Sequence, residues 1–254
     1  MQVTFLGTAT SQGIPVIGCK CDVCTSDDHK DKRLRTSVLI SHMDKNYVID
    51  VGPDFRQQML ASGNEDLHAV LLTHEHNDHV IGLDDLRPFI FKSKKEMTIY
   101  GLPRVLDEIK ERFNYAFKPQ AYPGAPSFEL KPIDESAEVI IDDLTIIPVR
   151  IEHGKLPILG FRIKDFAYLT DMKSIMQAEK NKLKNLDVLV IDSLRKETHH
   201  SHLSLKESLN FIKEFRPKQA YLIHLSHRMG KHEDIEKDLP SGVSIAYDGL
   251  VLDI

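Results

Sequence analysis

The chain has 254 residues, of which 41% are hydrophobic and 28% charged, and its net charge is −5. This balance is typical of a globular protein with one large or two small domains, and it excludes a disordered, collagen-like or coiled-coil chain. The sequence has no apolar run of about 18 residues that could span a membrane, and residues 1–6 lack the basic start of a signal peptide. We therefore expect a cytoplasmic protein with no membrane partner.

Runs of β-forming residues and turn residues predict strands that alternate with helices. In the first third we predict strands over residues 2–6, 36–41, 47–51 and 69–72, a hairpin turn at 43–46 and a helix over 53–60. In the middle third we predict a helix over 103–113, a long loop or lid over 114–127, and strands over 138–141, 144–150, 158–163 and 167–169. In the last third we predict strands over 187–191, 220–223, 243–246 and 250–252, and a helix over 204–215 that begins with a capping box. No linker or short repeat interrupts these elements, so we expect one domain over residues 1–254, with two sheets covered by helices.

The strongest chemical signal is the run of residues 74–79, His-Glu-His-Asn-Asp-His, which directly follows the apolar strand 69–72. Three imidazoles and a carboxylate offer the nitrogen and oxygen ligands that zinc and similar divalent ions prefer. In a loop, His74 and His76 can face one ion while Asp78 and His79 face a second. The alternative is a solvated polar turn. A solvated turn does not explain why three histidines and an aspartate cluster directly after an apolar strand.

This H-x-H-x-D-H run after an apolar strand resembles the signature of the metallo-β-lactamase superfamily. The resemblance implies an α/β (α+β) fold, a four-layer αββα sandwich with two metal ions at one edge of the sheets. It also implies a further His, a bridging Asp and a final His near the ends of later strands, which are His153, Asp171 and His224 here. Taken singly, these residues could be a loop histidine, a helix cap and a core histidine. The resemblance places Asp50 behind the ligands, with a simple turn residue as the alternative.

The three cysteines Cys19, Cys21 and Cys24 form a C-x-C-x-x-C knuckle. An odd number within six positions does not fit a disulfide scaffold, whereas three thiolates need only a fourth ligand to close a tetrahedral zinc site. The knuckle together with His227, three residues after His224, is similar to the carbon–phosphorus lyase accessory phosphodiesterases, of the phosphoribosyl cyclic phosphodiesterase type. This similarity implies that the knuckle and His227 hold one structural zinc in a loop over residues 13–35. Buried or redox-active thiols are the alternative.

A third cluster lies at residues 199–202, where the resemblance implies a general acid. His200 and His202 are favoured and His199 comes next, while polar loop residues are the alternative; the sequence does not decide among the three. Arg35 could contact a phosphate, but a structural ion pair is the favoured interpretation.

Together these resemblances imply a metal-dependent hydrolase, a phosphodiesterase that attacks a small cyclic or linear phosphodiester with a hydroxide bridging two Zn or Mn ions. One ion would be bound by His74, His76 and His153 and the other by Asp78, His79 and His224, with Asp171 between them. The alternatives are a binding protein like the pyrroloquinoline quinone carrier, a thioester or other ester hydrolase, and a tRNA-processing nuclease of the same fold. Nucleic acid is not expected as a partner because the sequence has no basic arm. A homodimer is compatible with the resemblance, but no sequence feature supports it.

Overall fold

Two mixed β-sheets face each other, and helices cover their outer sides. The computed structural model describes residues 1–118 and 122–254. The first sheet contains β1 (Gln2–Gly7), β2 (Ser37–His42), β3 (Lys45–Ile49), β4 (Ala69–Leu71), β5 (Met97–Gly101), β6 (Phe128–Pro132) and β15 (Val251–Asp253). Its order is β15-β1-β2-β3-β4-β5-β6, antiparallel as far as β3 and parallel from β3 to β6.

The second sheet repeats this change from antiparallel to parallel pairing. It contains β7 (Val139–Ile141), β8 (Leu144–His153), β9 (Leu156–Ile163), β10 (Phe166–Leu169), β11 (Ser174–Ile175), β12 (Val188–Asp192), β13 (Gln219–Ile223) and β14 (Val243–Ile245). Its order is β11-β8-β9-β10-β12-β13-β14, with β7 on β8, and the pairs from β10 to β14 are parallel. Both sheets therefore have parallel strands whose carboxyl ends can carry a site.

The helices are short, with four to eleven residues each. They are α1 (Phe55–Ser62), α2 (Asn77–Val80), α3 (Arg87–Ser93), α4 (Pro103–Arg112), α5 (Gln177–Lys180), α6 (Leu205–Phe215) and α7 (His232–Asp238). In α6 the Glu207 carboxylate accepts hydrogen bonds from the Ser204 backbone N–H at 2.8 Å and from its hydroxyl at 2.7 Å, which confirms the predicted capping box. Within the described residues, no helix has the length and apolarity needed to cross a bilayer.

The core lies between the two sheets and continues beneath α6. Along β12, Val188 and Val190 belong to the core cluster shared by the two sheets, whereas Leu189 and Ile191 pack with α6. A parallel strand covered on both faces reads as a continuous apolar run, which explains why this strand was visible in the sequence. Each fully buried aliphatic side chain of this kind contributes about 1.5–3 kcal/mol to stability.

The predicted strands and helices are confirmed, with ends that differ by up to about three residues. The hairpin turn is shorter than predicted, because β2 and β3 extend until only Met43 and Asp44 lie between them. The sequence patterns did not predict β5, β6, β11, α2, α3, α5 or α7, each of which has seven residues or fewer. Part of the predicted 114–127 loop, residues 119–121, lies outside the described residues, and Asn114–Ala116 forms a turn of 3₁₀-helix.

Candidate active site

The segment 74–79 follows β4 as a loop over residues 74–76 and continues into α2, so the prediction that Asp78 and His79 lie in a loop is wrong. Two arginines of α4 hold this segment in place. The Arg104 guanidinium on α4 donates to both Glu75 carboxylate oxygens, at 2.8 and 2.7 Å. Arg112, at the end of α4, donates to the Glu75 carbonyl at 2.6 Å and to the Asn77 side chain at 2.9 Å. Gly52 lies so close that a β-carbon there would come 2.1 Å from the Asp78 carbonyl oxygen, so any larger residue would displace this loop.

Asp50, at the end of β3, is fully buried behind two of the predicted ligands. Its carboxylate accepts hydrogen bonds from the Thr73 N–H at 2.9 Å, the Thr73 hydroxyl at 2.8 Å and His79 Nδ1 at 2.7 Å. Because the Thr73 hydroxyl donates to Asp50, it accepts from His74 Nδ1, which lies 2.9 Å away. In both histidines Nδ1 is therefore the hydrogen-bond donor, which leaves Nε2 as the atom that can bind a metal.

The second sheet supplies the distant residues. Asp171 follows β10, with Oδ2 3.3 Å from His79 Nε2 and Oδ1 3.2 Å from Nε2 of His224, which follows β13. Asp78 Oδ2 lies 3.3 Å from His79 Nε2. His153, the last residue of β8, donates from Nδ1 to the carbonyl oxygens of Asp171 and Ser201 at 3.0 Å, so it too presents Nε2. The helix-cap alternative for Asp171 is wrong, because β11 follows and no helix of the described chain begins near Met172.

The rings of the three remaining histidines form a second group. The ring centroids of His74 and His76 are 4.6 Å apart, those of His76 and His153 5.2 Å, and those of His74 and His153 5.7 Å. His76 is exposed and His74 fully buried, so the group extends from the protein interior to its surface. The structure thus brings together all seven predicted active-site ligands, which we call the active-site cluster: His74, His76, Asp78, His79, His153, Asp171 and His224.

Asp192 is a site residue that the sequence analysis missed. It is fully buried at the end of β12, with Oδ1 3.2 Å from His224 Nδ1 and 3.6 Å from His202 Nδ1. Its Oδ2 accepts a hydrogen bond from the Leu203 N–H at 2.9 Å. The family resemblance selected Asp50, whereas Asp192 offered only a carboxylate at the end of an apolar strand, in the run 188–192.

The three candidate general acids lie in different surroundings. His202 is buried, its ring stacked on His224 at 4.8 Å and 4.5 Å from His153. Burial acts to lower the pKa of His202, but the negative charge of Asp192 outweighs it and raises that pKa. Burial and the nearby charge of His202 lower the pKa of His199 to about 4. His200 is exposed, with its ring 4.3 Å from that of His199.

Arg35 donates from Nη1 to Asp54 at 2.9 Å, as the ion-pair interpretation expects.

The chemistry of the active-site cluster fits divalent metal ions. Nε2 of His74, His79 and His224 is buried, and none of the three has a hydrogen-bond partner among residues 1–118 and 122–254. Burial acts to lower the pKa of His79, but the carboxylates of Asp171, Asp78 and Asp50 raise it well above its usual value. Unpaired imidazole nitrogens beside buried carboxylates are costly unless a cation satisfies them.

The knuckle cluster, which is Cys19, Cys21, Cys24 and His227, fits a closed tetrahedral site. The three sulfur atoms lie 3.3, 3.4 and 3.5 Å from His227 Nδ1. Zinc–sulfur bonds of about 2.3 Å and zinc–nitrogen bonds of about 2.0–2.1 Å place sulfur and nitrogen about 3.5 Å apart across a tetrahedral angle. The Cys24 N–H lowers the pKa of the Cys21 thiol to about 6, which favours the thiolate that binds metal. Four donors at these separations suit one zinc ion.

The family model described as the Beta-lactamase superfamily domain matches residues 45–225, a segment that contains the whole active-site cluster. The chain belongs to the metallo-β-lactamase superfamily. This membership and the two sheets flanked by helices confirm the fold predicted from the H-x-H-x-D-H motif.

Solved structures and curated proteins place the chain more closely within the superfamily. A crystal structure of a diphosphatase from the PhnP family is 36% identical, covers 99% of this chain and 96% of its own, and has a TM-score of 0.93. The chain is thus a metallo-β-lactamase superfamily hydrolase of the PhnP branch, which confirms the predicted branch. A zinc-bound PqqB from Methylobacterium extorquens shares the fold, with 19% identity, full coverage of both chains and a TM-score of 0.82.

One curated relative is longer than this chain. The Octanoyltransferase of Porphyromonas gingivalis is 44% identical over 252 residues, which are 98% of this chain and 51% of that protein. The chain therefore spans about half the length of that relative.

Proposed function

We propose that this hydrolase is a metal-dependent phosphodiesterase that acts on a small cyclic or linear phosphodiester. The observation that carries the proposal is the position of Asp171 between the two ligand sets. A carboxylate oxygen of Asp171 lies 3.2 Å from His224 Nε2, in one set, and one lies within 4.8 Å of a ring nitrogen of His74, in the other, so one side chain can serve both halves of a two-ion site. Two-metal sites are the common solution for in-line displacement at phosphorus.

The active-site cluster divides into two ligand sets around Asp171. In the proposal, His74, His76 and His153 hold one ion, and Asp78, His79 and His224 hold the other. When bound, two divalent ions activate water and polarise the phosphoryl oxygens. Mixed nitrogen and oxygen ligands suit both Zn²⁺ and Mn²⁺, and both remain candidates. Asp50 accepts a hydrogen bond from His79 Nδ1, which fixes the orientation of that ring, and Asp192 Oδ1 faces His224 Nδ1 at 3.2 Å.

His202 is our candidate for the group that protonates the leaving alkoxide. Its ring lies against His224 and His153, whereas His200 is exposed. The Asp192 carboxylate, 3.6 Å from His202 Nδ1, favours the protonated imidazole that a general acid requires. We also propose that the knuckle cluster holds one structural zinc without a place for substrate, because its four donors complete the tetrahedron.

The PhnP-family relative favours a second candidate bond. That protein is named a diphosphatase, so its bond is a phosphoanhydride rather than a phosphoester. Both reactions displace an oxygen at phosphorus and need the same two-ion arrangement. We therefore include a dinucleoside diphosphate beside a phosphodiester in the test below.

Two other classes remain as outcomes of the test. A carrier like PqqB would bind a small molecule without turnover, but the complete set of seven ligands favours an enzyme. An ester or thioester hydrolase is the next class, because octanoyl, in the name of the Porphyromonas gingivalis relative, is an acyl group. Fold alone does not separate these chemistries, since the superfamily's sites differ in what they hydrolyse.

The test is hydrolysis of bis(p-nitrophenyl) phosphate and of a dinucleoside diphosphate by protein loaded with Zn²⁺ or Mn²⁺, with metal content measured in parallel. Asp78→Ala removes one ligand, and we expect its turnover to fall by about two to three orders of magnitude with loss of bound metal. The matched control is Asp85→Ala, a half-buried carboxylate outside the cluster, which should keep full turnover. Full turnover and full metal content in Asp78→Ala would contradict the proposed ligand set. No wild-type turnover of either phosphate compound, with both ions bound, would favour the acyl ester.

A further inference from the structure

The active-site cluster and the knuckle cluster share one short segment of the chain. His224 belongs to the first and His227 to the second, and only Leu225 and Ser226 lie between them. The segment follows β13, so both histidines depend on how the chain turns as it leaves the sheet.

That turn is conformationally costly at His224. Its φ angle is 59°, in the left-handed region that is unfavourable for a residue with a β-carbon. The turn aims Nε2 of His224 at Asp171 and Nδ1 at Asp192. Contacts elsewhere must therefore stabilise the chain in this conformation.

Those contacts come from the loop that leads into the knuckle. The Leu225 N–H donates to the Thr8 carbonyl at 3.0 Å, and the Thr10 N–H donates to the Leu225 carbonyl at 2.9 Å. On the other side, the Ser226 N–H donates to the Leu194 carbonyl at 2.9 Å. The chain then runs from Thr10 to Cys19, whose sulfur lies 3.3 Å from His227 Nδ1. The segment 224–227 is thus attached to the N-terminal loop twice, once through backbone hydrogen bonds and once through the knuckle cluster.

The second attachment needs an ion to hold. Three sulfurs gathered at 3.3–3.5 Å from one imidazole nitrogen offer each other at most weak hydrogen bonds, and as thiolates they repel. A bound zinc ion converts this cluster into four strong bonds, and such ligation stabilises the folded arrangement around it.

We propose that the knuckle ion positions His224 and thereby sets the affinity of one active-site position, the one formed by Asp78, His79 and His224. His227 is a positioning residue, since it acts on the active site only through the turn at His224. The other position depends on His74, His76 and His153, which come from β4, its loop and β8, so it should be independent of the knuckle. This inference rests on the ligand sets of the proposed function.

The test compares metal content in variants after dialysis against graded chelator. In His227→Ala we expect loss of the knuckle ion and at least about a tenfold lower affinity for one of the two active-site ions. Losses of this size are found when residues that hydrogen-bond to a metal ligand are removed. His227→Cys restores four donors to the knuckle, so it should recover both the knuckle ion and the affinity for the active-site ion. The control His29→Ala removes an exposed histidine of the same loop and should behave as wild type. A His227→Ala protein that folds and holds both active-site ions with wild-type affinity would overturn the proposal.

A second measurement needs no variant and so does not depend on His227→Ala folding. The metal-free protein is titrated with Co²⁺. The thiolate charge-transfer absorption reports ion binding at the knuckle, and hydrogen exchange reports the protection of the Leu225 and Ser226 amides. We expect these amides to become protected as the thiolate absorption grows. Amides already fully protected in the metal-free chain would contradict the coupling. Neither measurement uses a substrate, so absence of phosphodiester turnover would leave this result standing.

Discussion

One Asp192 oxygen faces two histidines at once: Oδ1 lies 3.2 Å from His224 Nδ1 and 3.6 Å from His202 Nδ1. The first histidine is a proposed metal ligand and the second the proposed general acid. The two rings stack with their centroids 4.8 Å apart, so one carboxylate oxygen faces a pair of neighbouring imidazoles. Because Asp192 is fully buried and its other oxygen is bonded to the Leu203 N–H, its orientation is determined by the fold.

Replacing this carboxylate by an amide should weaken metal binding while the fold is kept. In Asp192→Asn, the single amide oxygen can accept from the Leu203 N–H or from His224, but not from both. If it stays with Leu203, the amide NH₂ faces His224 Nδ1 and favours the tautomer whose Nε2 is protonated and unable to bind metal. We expect about 10- to 100-fold lower metal affinity, measured by competition with a chromophoric chelator.

Asp187→Asn is the matched control for this prediction. Asp187 lies just before the same strand, but its carboxylate is exposed and pairs with Lys218 at 2.8 Å. Its replacement should leave metal affinity unchanged. Equal affinity in Asp192→Asn and Asp187→Asn would show that Asp192 does not orient His224.

The general acid can be identified from the leaving group. A p-nitrophenolate departs without a proton, whereas an alkoxide needs one, and positioned acids contribute about 10²- to 10⁴-fold. We expect His202→Asn to slow a methyl phosphodiester by that amount and bis(p-nitrophenyl) phosphate far less. Steady-state rates on the two substrates give this ratio directly.

His200→Asn serves as the comparison, because its ring is exposed and lies against His199 rather than His224. It should slow neither substrate. Loss of a metal ion would slow both substrates together, so equal losses in His202→Asn would mean that His202 supports the ligands. Selective loss in His200→Asn would transfer the role to His200.

Stability should depend on pH through Asp248, which belongs to neither cluster. Burial raises the pKa of Asp248 to about 6, although the Leu34 N–H, the Thr8 hydroxyl and the charge of Arg33 oppose the shift. In an unfolded chain an aspartate titrates near pH 3.9. The folded protein therefore binds this proton more strongly than the unfolded chain does. The stabilisation from protonated Asp248 is fully present below about pH 4 and is lost as the pH rises through 6. The loss by pH 7 amounts to about 3 kcal/mol.

Asp248→Asn removes this titration. The free energy of unfolding of the variant, relative to wild type, should rise by up to about 3 kcal/mol between pH 4 and pH 7, measured by urea unfolding of metal-loaded protein. A constant offset from the altered bonds to Thr8 and Leu34 does not change with pH. Asp44→Asn, in the exposed β2–β3 turn, should give a flat difference. If the difference in unfolding free energy between Asp248→Asn and wild type also did not change with pH, ionisation of Asp248 would not destabilise the folded protein.

The sequence revealed those parts of the site whose members are close together in the chain. The ligands of residues 74–79 lie within six positions, as do the cysteines of the knuckle, so spacing alone indicates metal binding. For His153, Asp171 and His224, strand context could only suggest candidates, and the family resemblance selected them. Asp192 was missed because its partners are one residue of the loop 198–203 and one at the end of β13.

What the sequence by itself determined was local: the strands and main helices, the capping box of α6 and the two compact ligand runs, each set by periodicity or spacing within a few residues. What only the tertiary structure decided was convergence. The change from antiparallel to parallel pairing in both sheets brings the carboxyl ends of β3, β4, β10, β12 and β13 to one edge. It therefore sets the 3.2 Å distance between His224 and Asp171, and it buries His202 while His200 stays exposed. Distances between residues far apart in the chain depend on strand order, which no local pattern specifies.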